Sequence, residues 1–141
     1  MTAATFTTLF LAALLLSILV KFWLAFRQLK HVAKHREHVP PAFSGQISLD
    51  AHHKAADYTS TLVRFGVLGM IFETVILLAF TLGGGIQWLS EWSLATFDGL
   101  LVQSTALIVS VLVLQSLLEM PFDLYRTFNI EARFGFNKMT L

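Results

Sequence analysis

The chain has no cysteine and little charge, and each shortage removes whole classes of function. Without thiols there is no disulfide, no thiolate metal site and no thiol catalysis, and the redox compartment is left open. Charged residues fill 13% of the 141 positions against 55% hydrophobic, and mean hydropathy is +0.67. So apolar a composition excludes an ordinary soluble domain and places the chain in the membrane class. A net charge of +1 gives no case for a nucleic acid partner. Nucleophilic catalysis lacks its parts as well, because Ser17, Ser104, Ser110 and Ser116 sit in apolar stretches with no histidine at matching depth. Gly83-Gly84-Gly85 lacks the Lys-Ser/Thr of a phosphate loop and leads from helix to loop, not from strand to helix.

What the chain does have is three apolar runs, Thr5 to Phe26, Leu62 to Leu82 and Leu100 to Leu118. Each is long enough to cross the roughly 30 Å hydrocarbon core as a helix. The first is interrupted only by Lys21, near one end, where a long side chain snorkels to the headgroups. No basic residue precedes that run and no small-x-small site follows it, so it reads as an uncleaved anchor. Nothing breaks the helix again until Pro40-Pro41, which carries it through Arg27 to His38 and roughly 18 Å beyond the bilayer. The chain then turns over Pro40 to Gln46 and restarts at Ser48, a good N-cap, with Asp50 where the helix dipole favours a carboxylate. Residues 49 to 60 lead straight into the second run, which makes a hairpin of two long helices. Gly83-Gly84-Gly85 ends that run, Trp88 and Trp92 suit an interfacial belt, and Asp98-Gly99 opens the third. The expectation is an all-α integral membrane fold with three spans, a loop over 27–61, a second loop over 83–99 and a tail over 119–141.

Basic residues orient it. Arg27, Lys30, Lys34, Arg36 and Lys54 lie in the first loop and Arg126, Arg133 and Lys138 in the tail, whereas residues 1–4 and 83–99 have none. By the positive-inside rule the N-terminus lies outside, and the 27–61 loop and the tail are cytoplasmic.

Two groups of polar residues are candidates for function. His31, His35 and His38 share a face of the extended first helix, and His52-His53 lie across the turn. His31-Val32-Ala33-Lys34-His35 has valine where a zinc protease needs its general-base glutamate, and Lys34 repels a cation, so no metal ligand is assigned. Glu73 stands inside the second run, where a lone carboxylate costs on the order of 3 kcal/mol, so it faces protein or water. Counted from the cytoplasmic side, Ser17 and Ser110 reach a similar depth, with Lys21, Gln115 and Glu119 in a layer nearer the surface. Either Glu73 is a hydrogen-bonded packing residue, or these side chains line an intramembrane aqueous chamber.

The tail changes character at Glu119. Read as a helix entered at Pro121, it aligns Phe122, Tyr125, Asn129, Ala132 and Phe136, lets Asp123 pair with Arg126, and stops at Gly135. Spacing alone describes an amphipathic juxtamembrane helix at the bilayer surface. The residues themselves carry more. Pro121-Phe122-Asp123-Leu124-Tyr125-Arg126-Thr127-Phe128, then Ile130-Glu131, then Phe134-Gly135-Phe136-Asn137-Lys138, resemble the segment that closes the N-terminal membrane domain of the CAAX prenyl protease 1 family. In the first loop Val39-Pro40-Pro41-Ala42-Phe43, Ile47-Ser48-Leu49 and Ala55-Ala56-Asp57-Tyr58-Thr59 follow the order of its bacterial-type members.

The resemblance implies a membrane zinc metalloendopeptidase that cuts prenylated or other peptides, in a bacterial inner membrane. It also implies a zinc-bearing catalytic domain C-terminal to Leu141, since the family's His-Glu-x-x-His motif occurs nowhere in these residues. Zinc is expected in that domain and no cofactor in this chain. The partners implied are the lipid bilayer, the catalytic domain and a peptide substrate. Asn129, Glu131, Phe134, Gly135, Phe136 and Asn137 are the candidates for docking to the catalytic domain. The competing expectation is a free-standing three-span scaffold or pore subunit.

Overall fold

A computed structural model describes residues 2–137, and the elements among them are helical. In chain order they are α1 (Ala3–His35), a 3-10 turn (Pro41–Phe43), α2 (Leu49–Thr81), α3 (Gly85–Thr96), α4 (Leu100–Tyr125) and a π turn (Arg126–Glu131). Three stretches, Ala3–His35, Leu49–Thr81 and Leu100–Glu131, are long and apolar enough to cross a membrane. This is a membrane protein, and its surface agrees. Leu100 and Leu101 are 80% and 82% exposed, and few apolar side chains among the described residues are fully buried. Such a surface is untenable in water and costs nothing against lipid.

The chain forms two compact units, which meet in sequence at Val67 and Leu68. In the first, Thr2 caps α1 by accepting from the Thr5 amide at 3.2 Å, and Lys34 and His35 occupy the last turn, where the dipole favours cations. α1 ends at His35, short of the expected His38. The Ser48 hydroxyl accepts from the Ala51 amide at 3.2 Å and Asp50 lies in the first turn of α2, both as the sequence implied. Thr59 and Thr61 donate to the carbonyls four residues earlier, so their hydroxyls are satisfied within the helix. Arg64, exposed on α2, stands inside the expected second span and moves the start of its apolar part inward.

The second unit is built on α4. α3 packs against its first turns: Ser93, 1% exposed, donates to the Gln103 carbonyl at 2.6 Å, and the Gln103 side-chain amide donates to the Phe97 carbonyl at 2.7 Å. Buried Leu89 lies one helical turn before Ser93 on the same face of α3. The glycines between α2 and α3 are required there. Gly84 has φ 80, and a Cβ on Gly83 would meet the Ala79 carbonyl oxygen at 2.6 Å.

The tail departs from expectation at two points. Pro121 does not open a separate helix but lies inside α4, which runs on to Tyr125 and through the π turn without a stop. A proline costs a helix one amide donor, and an aliphatic span with protein neighbours tolerates that loss. Arg126 pairs with Glu131 at 3.4 Å, not with Asp123. A turn of i→i+5 bonds brings residues five apart onto one side, whereas the expected pair needed α spacing. Gly135 ends the helix with φ 73, and the amides of Phe136 and Asn137 donate to the Glu131 carbonyl at 2.9 and 3.2 Å. Lys138, counted among the basic residues of the tail, lies outside the described residues.

Candidate functional site

Within the second unit the last turns of α2 run beside α4. Phe72 stacks on Phe122 with ring centroids 4.5 Å apart and planes 28° apart, closing one end of the gap between the helices. Beyond that stack lies a cavity of about 520 Å³ whose polar wall is Glu73, Gln115 and Glu119. Ile76, Phe80 and Val111 supply apolar wall, and Ile86 of α3 reaches the same space. Gln115 Nε2 donates to Glu119 Oε1 at 3.0 Å. Glu73 has no hydrogen bond or ion pair among the described residues. Thr81 also lines the cavity, but its hydroxyl is spent on the Leu77 carbonyl at 2.6 Å.

This grouping differs from the one that depth counting implies, in which Glu73 lies level with Ser110, and Gln115 and Glu119 nearer the surface. The Phe72–Phe122 contact sets the register, and it brings Glu73 level with the end of the expected third span, where it lines the same cavity as Gln115 and Glu119. Ser110 is half-buried on α4 and does not line the cavity. Ser17 and Lys21 are exposed on α1, in the other unit.

In the first unit the hairpin is tied where α1 ends. Arg36 makes a bidentate pair with Asp57, Nε to Oδ1 and Nη2 to Oδ2 both at 2.9 Å, and its Nη1 donates to Glu37 at 3.0 Å. The Arg36 hydrogen bonds hold both carboxyls below their ordinary range, and the two carboxylates raise the guanidinium in turn. His53 Nε2 lies 3.3 Å from Glu37 Oε2, close enough for an ion pair when protonated. It is shielded from solvent but not aligned as a hydrogen bond. His35 Nδ1 bonds the His31 carbonyl and His52 Nε2 bonds the His35 carbonyl, each at 2.9 Å, which makes both nitrogens the protonated donors. His31, His35, His38 and His52 line a mostly apolar cleft of about 600 Å³. Among the described residues no group of three or more histidines and acids is placed to hold a metal ion.

The tail residues share a closed helix end. Glu131 carries the Arg126 pair, Arg133 lies 5.8 Å over the Phe134 ring, and Phe136 remains 54% exposed. Asn129 is exposed, and its carbonyl accepts from the Ala132 amide. Ser93 and Gln103, which fix α3 on α4, escaped the sequence reading. Their one signal was a serine and a glutamine beside the Asp98-Gly99 break.

Comparison with known proteins converges on one family. The family model described as "CAAX prenyl protease N-terminal, five membrane helices" matches residues 28–141. CAAX prenyl protease 1 of Saccharomyces cerevisiae is 22% identical over 129 residues, covering 84% of this chain and 28% of that protein. CAAX prenyl protease 1 homolog of Oryza sativa subsp. japonica is 28% identical over 140 residues, covering 93% of this chain and 32% of that protein. The chain thus spans about a third of the length of the curated relatives it matches. No solved structure matches.

Proposed function

The chain belongs to the CAAX prenyl protease N-terminal family, and from that premise we propose that it is the membrane-anchoring, chamber-forming part of a zinc metalloendopeptidase that processes CAAX-type peptides. Its own residues do not fit a zinc site: His-Glu-x-x-His is absent, and the described histidines and acids do not converge on an ion. Hydrolysis in this reading belongs to residues outside these 141, where zinc supplies a polarised water. The spans, near 5–26, 62–82 and 100–118, hold the protein in the bilayer with the 27–61 loop and the tail cytoplasmic. Asn129, Glu131, Phe134, Gly135, Phe136 and Asn137 are the surface on which the catalytic part docks, with Phe136 as its apolar anchor.

The observation that supports the chamber is the cavity lined by Glu73, Gln115 and Glu119. Three polar side chains around one cavity are expensive against lipid and cheap against water. These 141 residues hold no cysteine, so once any cysteine outside them is replaced, a single Glu73→Cys variant reports on this position alone. In the intact enzyme in its native membrane, we expect that thiol to react with a membrane-impermeant maleimide. Protection equal to that of a cysteine at exposed Leu101 would mean that position 73 faces lipid and would remove the chamber.

A further inference from the structure

We propose that the cavity between α2 and α4 recognises a cationic side chain flanked by apolar residues, taking its ammonium or guanidinium group against the carboxylates of Glu73 and Glu119. This deepens the chamber reading by naming the class of peptide the wall selects, and it rests on that reading.

Complementarity selects the occupant. Glu73 is unpartnered among the described residues, and the Gln115 amide satisfies only one oxygen of Glu119 while keeping its own carbonyl oxygen free to accept. The Thr81 hydroxyl already donates elsewhere and no basic residue lines the cavity. The polar wall therefore offers mostly acceptors, and a good ligand brings donors and positive charge. An anion is repelled, and a purely apolar group leaves two carboxylates desolvated and unpaired. A divalent cation is a poor match as well, since calcium takes six to eight oxygen ligands and here two carboxylates and an amide stand in an otherwise aliphatic and aromatic wall. Ile76, Phe80 and Val111 suit the apolar neighbours of a lysine or arginine in an extended peptide. The volume of about 520 Å³ accommodates one such side chain with part of each neighbour.

The test uses the full-length enzyme in phosphatidylcholine nanodiscs and two fluorescent peptides, acetyl-Leu-Leu-Lys-Leu-Leu-amide and the same peptide with norleucine in place of lysine. Binding to protein-free discs is subtracted. We expect the lysine peptide to bind about tenfold tighter or more, because a charge pair outside bulk water keeps much of its attraction. E73Q and E119Q, which keep the side-chain volume, each reduce that ratio, and together they bring it to about one. E73K reverses the selectivity toward a peptide with glutamate at the centre, a result that loss of packing alone does not give. Equal binding of the two peptides by the unaltered enzyme overturns the proposal, and that comparison needs no variant to fold. A lysine preference that survives in the double glutamine variant overturns it too, by placing the cation elsewhere. The thiol experiment separates the two levels. A reactive thiol in the Glu73→Cys variant, without lysine preference in the unaltered enzyme, leaves the chamber standing and removes this inference, whereas a protected thiol removes the chamber.

Discussion

At the scale of single residues, the firmest polar feature is Arg36, which ties the end of α1 to α2 through Asp57. Both of its carboxylate partners titrate below their ordinary range in the folded hairpin. The folded hairpin therefore binds fewer protons than the unfolded chain across the carboxylate range. The stabilisation is complete above the unfolded carboxylate value of about 4 and is lost as pH falls through the lowered folded values. We expect amide hydrogen exchange over residues 36–57 to be slow at neutral pH and to accelerate under acid, after correction for the intrinsic rate. Asp57→Asn should exchange fast at neutral pH, with far less further change on acidification. Equal protection in the variant and the parent would show that apolar contacts, not Arg36, close the hairpin. The same residue marks a limit of sequence reading. Arg36 was legible as one of five positive charges in the loop, but its carboxylate partner lies 21 residues away, and no periodicity within α1 points to it.

At the scale of elements, the Gly83-Gly84-Gly85 turn decides whether α3 reaches its place on α4. Alanine at Gly84 puts a Cβ at φ 80, which costs about 1–2 kcal/mol. Alanine at Gly83 adds a backbone collision with Ala79, which no side-chain rotation relieves. Both variants should lower the midpoint of thermal unfolding in detergent, with Gly83→Ala the worse. Gly45→Ala, where a Cβ meets nothing within 4 Å, should leave the midpoint unchanged. If all three variants unfold together, the close approach is not a constraint.

Element boundaries were legible where a local signal sets them. The Ser48 cap, the turn before it, the triple-glycine break and the Gly135 stop are each written in one or two residues. The continuation of α4 through Pro121 was not. A proline reads equally as a helix start and as a tolerated interior residue, and what tips the balance is an aliphatic run on its N-terminal side and a π turn after it. The cavity was half legible for a related reason. Its place inside an apolar run singled out Glu73 as costly in lipid, with Gln115 in a polar layer nearer the surface, but which helix levels meet depends on the Phe72–Phe122 contact, and counting inward from a loop does not fix register.

For the whole molecule the remaining variable is orientation, and charge alone argues it. Five lysines and arginines fall between positions 27 and 60, three more in the tail, and none in 1–4 or 83–99. Each one near an anionic cytoplasmic leaflet contributes about 1 kcal/mol, so the bias of the hairpin is additive and large compared with thermal energy. Single cysteines introduced into these cysteine-free 141 residues, with any cysteine elsewhere in the protein replaced, read the outcome directly. A cysteine at Gly45, in the turn between α1 and α2, should be labelled by an impermeant reagent only from the cytoplasmic face, and one at Gln87, exposed on α3, only from the outside. Neutralising Lys30 and Lys34 to glutamine leaves three of the five charges in the hairpin, and both labels should then become partly accessible from either face. Labelling of Gly45→Cys from outside in the otherwise unaltered chain would reverse the topology. It would also place the tail, with the proposed docking surface, on the side of the membrane away from the cytoplasm, so the proposed catalytic part would have to be sought there.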